Sequence, residues 1–276
     1  MTVKIFSLGC RLNQYEIESV STALKQAGMT LTDSEEEADF CVVNSCVVTG
    51  KSEAKTRNLI RRAQKSPKTI ITGCFAKLLK KDGNTVYLPN DFKHWIPSLI
   101  LNWDEIDSLE RLKPSRFHYS PPVEASTTRV NVKIQDGCDG FCSYCIIPLV
   151  RGKPQSRDLK EILEEVKTLS DQGYQELVLT GITIGKYQCG GVDLAGLLEK
   201  ILGLSGHFRL HLSSIDPNLI TPALLDLLSH SRMVKHLHLS LQSGSNAVLK
   251  RMNRQYTREA YLDLVFRIRG RNALYN

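Results

Sequence analysis

Hydrophobic and polar positions along this chain switch between the two-residue period of strands and the 3.6-residue period of helices. Thr2 to Leu8 alternates toward a strand and stops at Gly9-Cys10. Asn13 and Glu16 then stand at capping-box spacing, ahead of Ile17, Val20, Leu24 and Ala27 on one helical face that Gly28 closes. After an acidic stretch, the apolar run Phe40-Cys41-Val42-Val43 suits a buried parallel strand and ends in Asn44-Ser45-Cys46. Thr49 is expected to cap a basic helix, and beyond Pro67 the run 68–72 reads as a third strand ending in Gly73-Cys74. Thr85 to Leu88 suits a further strand, and Asn90 to Asn102 a helix with Trp95, Ile96, Leu99 and Ile100 on its apolar side.

This succession predicts an open parallel α/β sheet with right-handed crossovers over residues 1–103. Ligands of such sheets bind beyond the carboxyl ends of the strands, where Cys10, Cys46 and Cys74 are expected to converge. Free cysteine commonly packs as a small hydrophobe, and Cys41, inside its strand, fits that role. The repeated strand-end position favours ligation for the other three. Gly9 and Gly73 would allow tight turns and close approach of the backbone to a bulky inorganic ligand.

Residues 104–128 mix charge, Pro114, Pro121-Pro122 and Ser126-Thr127-Thr128 with little periodicity, as a linker does. From Arg129 onward four strand–helix units are expected, over 130–172, 176–204, 208–230 and 236–269, with Ser156, Asp193, Thr221 (followed by Pro222) and Thr257 as helix caps. Repeated βα units make a doubly wound sheet or a barrel, and a barrel's site lies at the carboxyl ends of its strands. Thr180-Gly181, Ser213-Ser214 and Gln242-Ser243-Gly244 all fall there; each alone is an ordinary turn, but together they share one rim.

Composition narrows the class. With 276 residues, 42% of them hydrophobic, the chain can bury two cores. No run approaches a membrane span, and the start goes straight into a strand pattern, so a cytoplasmic protein is expected. Eight cysteines without an export signal argue for metal or redox chemistry over disulfides. The formal charge of +7 favours a polyanionic partner only weakly, and the basic face between Lys51 and Lys68 fits a solvated surface as well. Cys189 has no ligand partner in register, while His211, His236 and His238 suit half-buried strand positions. No P-loop or dinucleotide fingerprint is present.

The densest chemistry is Cys138-Asp139-Gly140-Phe141-Cys142-Ser143-Tyr144-Cys145, spaced CxxxCxxC. Three thiolates can grip three corners of an iron–sulfur cube, and since four saturate a [4Fe–4S] cluster, one iron is left open. The alternatives are a zinc site or a cluster serving stability alone; zinc ordinarily takes two separated ligand pairs, and no second pair follows at that distance.

The spacing, Tyr144, and the flanking Ile134-Gln135-Asp136-Gly137 and Cys145-Ile146-Ile147-Pro148 resemble radical S-adenosylmethionine (SAM) enzymes. The string through Arg151-Gly152 and Ser156-Arg157, with Ser7 to Glu16, Asn44-Ser45-Cys46 and Thr72-Gly73-Cys74-Phe75-Ala76, is similar to the methylthiotransferases, closest to the branch acting on threonylcarbamoyladenosine of tRNA. The resemblance implies an amino-terminal domain (1–103) whose Cys10, Cys46 and Cys74 hold an auxiliary [4Fe–4S] cluster that supplies sulfur. It implies an incomplete radical SAM barrel (129–276) whose Cys138, Cys142 and Cys145 hold the cluster that binds SAM, and an absent carboxyl-terminal RNA-binding domain. Tyr144, Thr180, Gly181, Ser213, Gln242 and Ser243 are the expected SAM-contacting residues, and no side chain is assigned an acid–base role. The reaction implied is radical insertion of a methylthio group at C2 of N6-threonylcarbamoyladenosine beside the tRNA anticodon, with a flavodoxin or ferredoxin as electron donor. Another tRNA adenosine, a ribosomal-protein aspartate, or a non-catalytic iron–sulfur role are the alternatives.

Overall fold

The computed structural model describes residues 1–104, 111–121 and 129–275. The chain forms two compact units, Met1–Ala125 with Leu149–Arg151, and Ser126–Pro148 with Gly152–Asn276. Positions 105–110 and 122–128 of the expected linker lie outside the described residues. No described helix is long and apolar enough to cross a membrane.

The first unit runs β1 (Thr2–Ser7), α1 (Arg11–Gln26), β2 (Thr30–Leu31), β3 (Phe40–Ser45), α2 (Gly50–Ala63), β4 (Lys68–Gly73), β5 (Lys80–Asp82), β6 (Thr85–Leu88) and α3 (Ile96–Leu101). Its sheet has the order β2-β1-β3-β4-β6-β5 and is parallel except for the β5–β6 pair. All six residues of β3 are buried, as a central parallel strand covered on both faces requires. Its side chains alternate: Phe40 and Val42 join one core cluster with Ile17, Val20 and Leu24 of α1, while Cys41 and Val43 join another with Ile60 and Ala63 of α2. Thr49 caps α2, its hydroxyl accepting from the Ser52 amide at 3.1 Å.

Two expectations for this unit change. Asn13 and Glu16 form no capping box: α1 begins at Arg11 with Cys10 as its cap residue, so both side chains lie inside the helix, buried in a polar network. The helix expected from Asn90 is a 3-10 turn (Asn90–Trp95) leading into α3, whose Pro97 sits in the first turn, where its missing N–H costs no helical bond.

The second unit runs β7 (Arg129–Lys133), β8 (Gln135–Asp136), α4 (Ile147–Arg151), β9 (Gln155–Ser156), α5 (Leu159–Asp171), β10 (Glu176–Thr180), β11 (Gln188–Cys189), β12 (Val192–Asp193), α6 (Leu194–Leu202), β13 (Arg209–Leu212), α7 (Pro222–Leu227), α8 (Asn246–Arg251) and α9 (Arg258–Arg271). The last three residues of α4 group with the first unit. Strands β7, β10 and β13, each followed by a helix, make a parallel sheet in the order β13-β10-β7, the arrangement of a partial (β/α) barrel. Asp193, Thr221 and Thr257 cap α6, α7 and α9 through the amides of Gly196, Leu224 and Ala260.

Here also two expectations change. Asp158, not Ser156, caps α5, accepting from Lys160 N at 2.8 Å; Ser156 lies in β9, its hydroxyl engaged by the amide of Gln188. The fourth strand does not form as a continuous element. The segment after Arg232 meets β13 and its extension only at the bridges Leu210–Met233 and Ile215–Leu239. The backbone bonds across this edge include Leu210 N to Arg232 O, Val234 N to Leu210 O and, further on, Ile215 N to His238 O, so the pairing is interrupted between the two bridges.

Candidate functional site

In the second unit, Cys138, Cys142 and Cys145 occupy the loop between β8 and α4, and all three line one cavity of about 460 Å³. Its other walls are the segments that follow the strands: Ile182-Thr183 after β10, Ser214 to Asp216 after β13, then Ser240, Gln242 and Asn253 to Gln255. The loop is fastened by Cys138 N to Gly152 O at 2.9 Å, Ser143 Oγ to Arg251 O at 2.9 Å, and Asn253 Nδ2 to Phe141 O at 2.8 Å. Gln135 fixes the wall beyond β10, because its Oε1 accepts from the amides of Ile182 (3.1 Å) and Thr183 (2.7 Å). Among the described residues, Gln242 (φ 64°) and Asn253 (φ 56°) are the non-glycine residues at positive φ, and both face the cavity. Backbone held in that region marks a constrained site.

The charge at this cavity is organised by Arg254. Its Nη1 donates to Cys142 Sγ at 3.3 Å, its Nε to Tyr256 Oη at 3.3 Å, and Nη2 pairs with Asp216. Burial disfavours the guanidinium charge, but the Cys142 contact, Asp216 and Tyr256 outweigh it, so the Arg254 pKa is raised and the cation is kept. Burial pushes the Cys145 thiol up, and likewise the Tyr144 hydroxyl. The sequence assigned no role to Arg254, Asn253 or Asp216, since no motif marks them.

Of the six expected SAM contacts, Tyr144 and Gln242 line the cavity. Thr180 is buried at the end of β10, with its carbonyl accepting from Ile134 N. Gly181 packs on the Gln135 carbonyl, Ser213 is buried, and the Ser243 hydroxyl accepts from the Ser245 amide. The cavity wall beside these positions is formed by their neighbours Ile182, Thr183 and Ser214.

In the first unit the chain brings three strand ends together. Cys10 follows β1 and is exposed, whereas Cys46 after β3 and Cys74 after β4 are buried. Asn13 ties the ends of β1 and β3, its Nδ2 donating to Leu8 O (3.1 Å) and Ser45 O (2.9 Å), while Asn44 Nδ2 returns a bond to Asn13 O. Cys46 is held by reciprocal bonds with the Thr56 hydroxyl, and Cys74 N donates to Ser45 O at 3.2 Å. The glycines here serve protein contacts: at Gly9 (φ 141°) a Cβ would strike Asn13, and at Gly73 (φ 90°) it would lie 2.6 Å from Ser45 N.

Beneath these ends lies the buried network that absorbs Asn13 and Glu16. Lys93 Nζ meets Glu16 Oε2 at 2.5 Å, Arg151 Nη1 meets Glu16 Oε1 at 2.9 Å, and Arg151 Nη2 donates to Asn13 Oδ1 at 2.7 Å. Burial raises the Cys74 thiol pKa, and the charges of Arg151 and Lys93 oppose that rise. Asn90 turns its amide nitrogen to Cys74 Sγ at 3.9 Å.

Among the described residues, no three His, Cys, Asp or Glu side chains stand close enough to share one metal ion. Thiolates on separate irons of a cube are spaced wider than thiolates sharing one tetrahedral ion, and three soft sulfur donors among cations suit an anionic cluster. Both cysteine sets fit such a group by their donor chemistry.

The parallel strands and the cysteine loop at their rim define a radical SAM fold, and the Radical SAM superfamily model matches residues 132–273. Uncharacterized protein family UPF0004 matches residues 2–87. Threonylcarbamoyladenosine tRNA methylthiotransferases of Chlamydia pneumoniae and Bacillus subtilis are each 37% identical to the chain, over 99% and 95% of it, and one of Aquifex aeolicus is 33% identical over 96%. The chain belongs to the radical SAM methylthiotransferase family. It spans 65%, 62% and 68% of the length of these three relatives. Among solved structures, the radical SAM methyltransferase TsrM of Kitasatospora setae, with tryptophan and a SAM analogue bound, shares the fold at TM-score 0.64 and 13% identity, over 98% of this chain and 66% of that one. The cobalamin-dependent radical SAM enzyme OxsB shares it at 0.65 and 10%, over 98% and 47%. Family membership implies a [4Fe–4S] cluster and SAM.

Proposed function

We propose that the chain carries the auxiliary-cluster unit and the radical SAM unit of a cytoplasmic tRNA methylthiotransferase that inserts a methylthio group at C2 of N6-threonylcarbamoyladenosine next to the anticodon. The observation that carries this reading is the pairing of two three-cysteine sets, each at the carboxyl ends of parallel strands and each in its own compact unit. One set accounts for radical chemistry; the second accounts for a sulfur source. Residues 1–103 would carry the auxiliary cluster on Cys10, Cys46 and Cys74, and residues 129–276 the SAM-binding cluster on Cys138, Cys142 and Cys145.

When bound, the SAM-binding cluster supplies the electron that cleaves the sulfonium, drawn from a donor such as a flavodoxin or ferredoxin. The chain's own part is positional. Arg254 holds a cation against Cys142 and is itself fixed by Asp216. Gln135 sets the backbone at Ile182 and Thr183, and Tyr144 and Gln242 face the space a SAM molecule would fill.

Mass spectrometry of tRNA nucleosides from cells with and without the gene tests the reading: the 2-methylthio derivative of threonylcarbamoyladenosine should vanish on deletion, and its persistence sinks the assignment. A second base is favoured by one relative, a tRNA-2-methylthio-N(6)-dimethylallyladenosine synthase of Fervidobacterium nodosum, 34% identical over 98% of the chain. Loss of the dimethylallyl derivative's methylthio mass instead would establish that alternative.

A further inference from the structure

The first unit buries three charged side chains near the ends of its strands. Lys93 and Glu16 are fully buried and Arg151 nearly so. Burying an ion is costly unless its charge is met, and apolar residues of similar volume would commonly serve stability as well. Both side chains close on the single carboxylate of Glu16; burial pulls the Lys93 pKa down and the Glu16 charge opposes that fall, and with all three groups ionised the trio carries a formal charge of +1. It is held rigidly. Asn13, which accepts from Arg151 and stands 3.4 Å from Lys93 Nζ, is the same residue that ties the ends of β1 and β3.

The position of the trio gives the excess charge a purpose. Cys74 is buried close by: Asn13 Nδ2 and Cys74 N both donate to Ser45 O, Asn13 Oδ1 accepts from Arg151, and Asn90 Nδ2 stands 3.9 Å from the Cys74 sulfur. A buried cation strengthens the hold of a nearby site on negative charge, because in a low-dielectric interior the attraction is little screened. Net charge and hydrogen bonds to the sulfurs are among the factors that set the potential of an iron–sulfur centre.

We propose that Lys93 and Arg151, balanced by Glu16, are positioning residues that raise the reduction potential of the centre held by Cys10, Cys46 and Cys74. The inference rests on the reading of those cysteines as cluster ligands. In this arrangement the two cations favour the reduced, more negative state, and the carboxylate limits how far they do so.

The sign of the effect separates this role from a structural one. The test uses the full chain with Cys138→Ala, Cys142→Ala and Cys145→Ala, reconstituted anaerobically with iron and sulfide, so that EPR-monitored redox potentiometry reads the first unit alone. Lys93→Met and Arg151→Met should each move the midpoint to more negative potential, Glu16→Gln should move it to more positive potential, and Lys93→Arg should leave it near the parent. Shifts of one sign in all the charge-removing variants, or none, at equal iron content would overturn the proposal. Should Lys93→Met fold poorly, Glu16→Gln keeps the side-chain shape and decides alone by the direction of its shift. A parent triple variant that binds no iron would instead refute the two-cluster reading, and this inference with it.

Discussion

His94 packs edge-on against His118 with ring centroids 5.3 Å apart, and its pKa falls from 6.5 to about 4, chiefly through burial and secondarily through the His118 charge. The unfolded chain therefore takes up a proton at this position that the native state refuses. The stability contributed by neutral His94 is fully present above pH 6.5 and is lost as pH falls from there toward 4. The urea midpoint of the wild-type chain should fall more between pH 7 and 5 than that of His94→Gln; parallel curves would remove His94 as the cause. At this scale the placement of the cysteines, three on one loop and three at strand ends, was legible because spacing and strand-end position announce it without partners. Lys93, Arg151 and Arg254 were not, because each acts on a residue far away in sequence, 77, 135 and 112 positions respectively. Asn13 and Glu16 show the converse error: a spacing that reads as a local cap serves long-range contacts instead.

Helix α5 begins where Asp158 accepts from the amides of Lys160 and Glu161, and Glu161 adds a carboxylate to its first turn. Such a cap contributes about 1 kcal/mol. Asp158→Ala should lower the melting temperature by roughly 2–4 °C, for a protein of this size, while Asp158→Asn should recover most of the loss; equal losses in both would point to charge rather than capping. Helices and buried strands were readable because their periods repeat over several residues. The two- and three-residue strands β2, β5, β8, β9, β11 and β12 offer no period to detect. The expected fourth strand of the second unit alternates acceptably in sequence, but alternation does not tell how far a neighbour pairs with it, and here the contact with β13 and its extension is confined to two bridges.

For the molecule as a whole, two cysteine sets in separately compact units predict a stepwise loss of metal. Iron and sulfide analysis after anaerobic reconstitution should show two clusters in the wild-type chain and one in Cys138→Ala, with SAM cleavage abolished; complete loss of iron would mean that the two sets do not load independently. The alternation of strands and helices made both α/β parts legible. That Leu149–Arg151, close in sequence to Cys145, would pack with the first unit was not, because it depends on the buried carboxylate of Glu16 that receives Arg151. The wholly buried central strands carry one more consequence. Strand β3 lies between β1 and β4, and β10 between β7 and β13, so their amides are shielded on both sides and exchange with deuterium only when their own unit opens. They act as two internal clocks. Loading iron onto the variant lacking Cys138, Cys142 and Cys145 should slow the β3 clock while the β10 clock keeps its rate, because a ligand that binds only the folded form suppresses the opening of the unit that holds it.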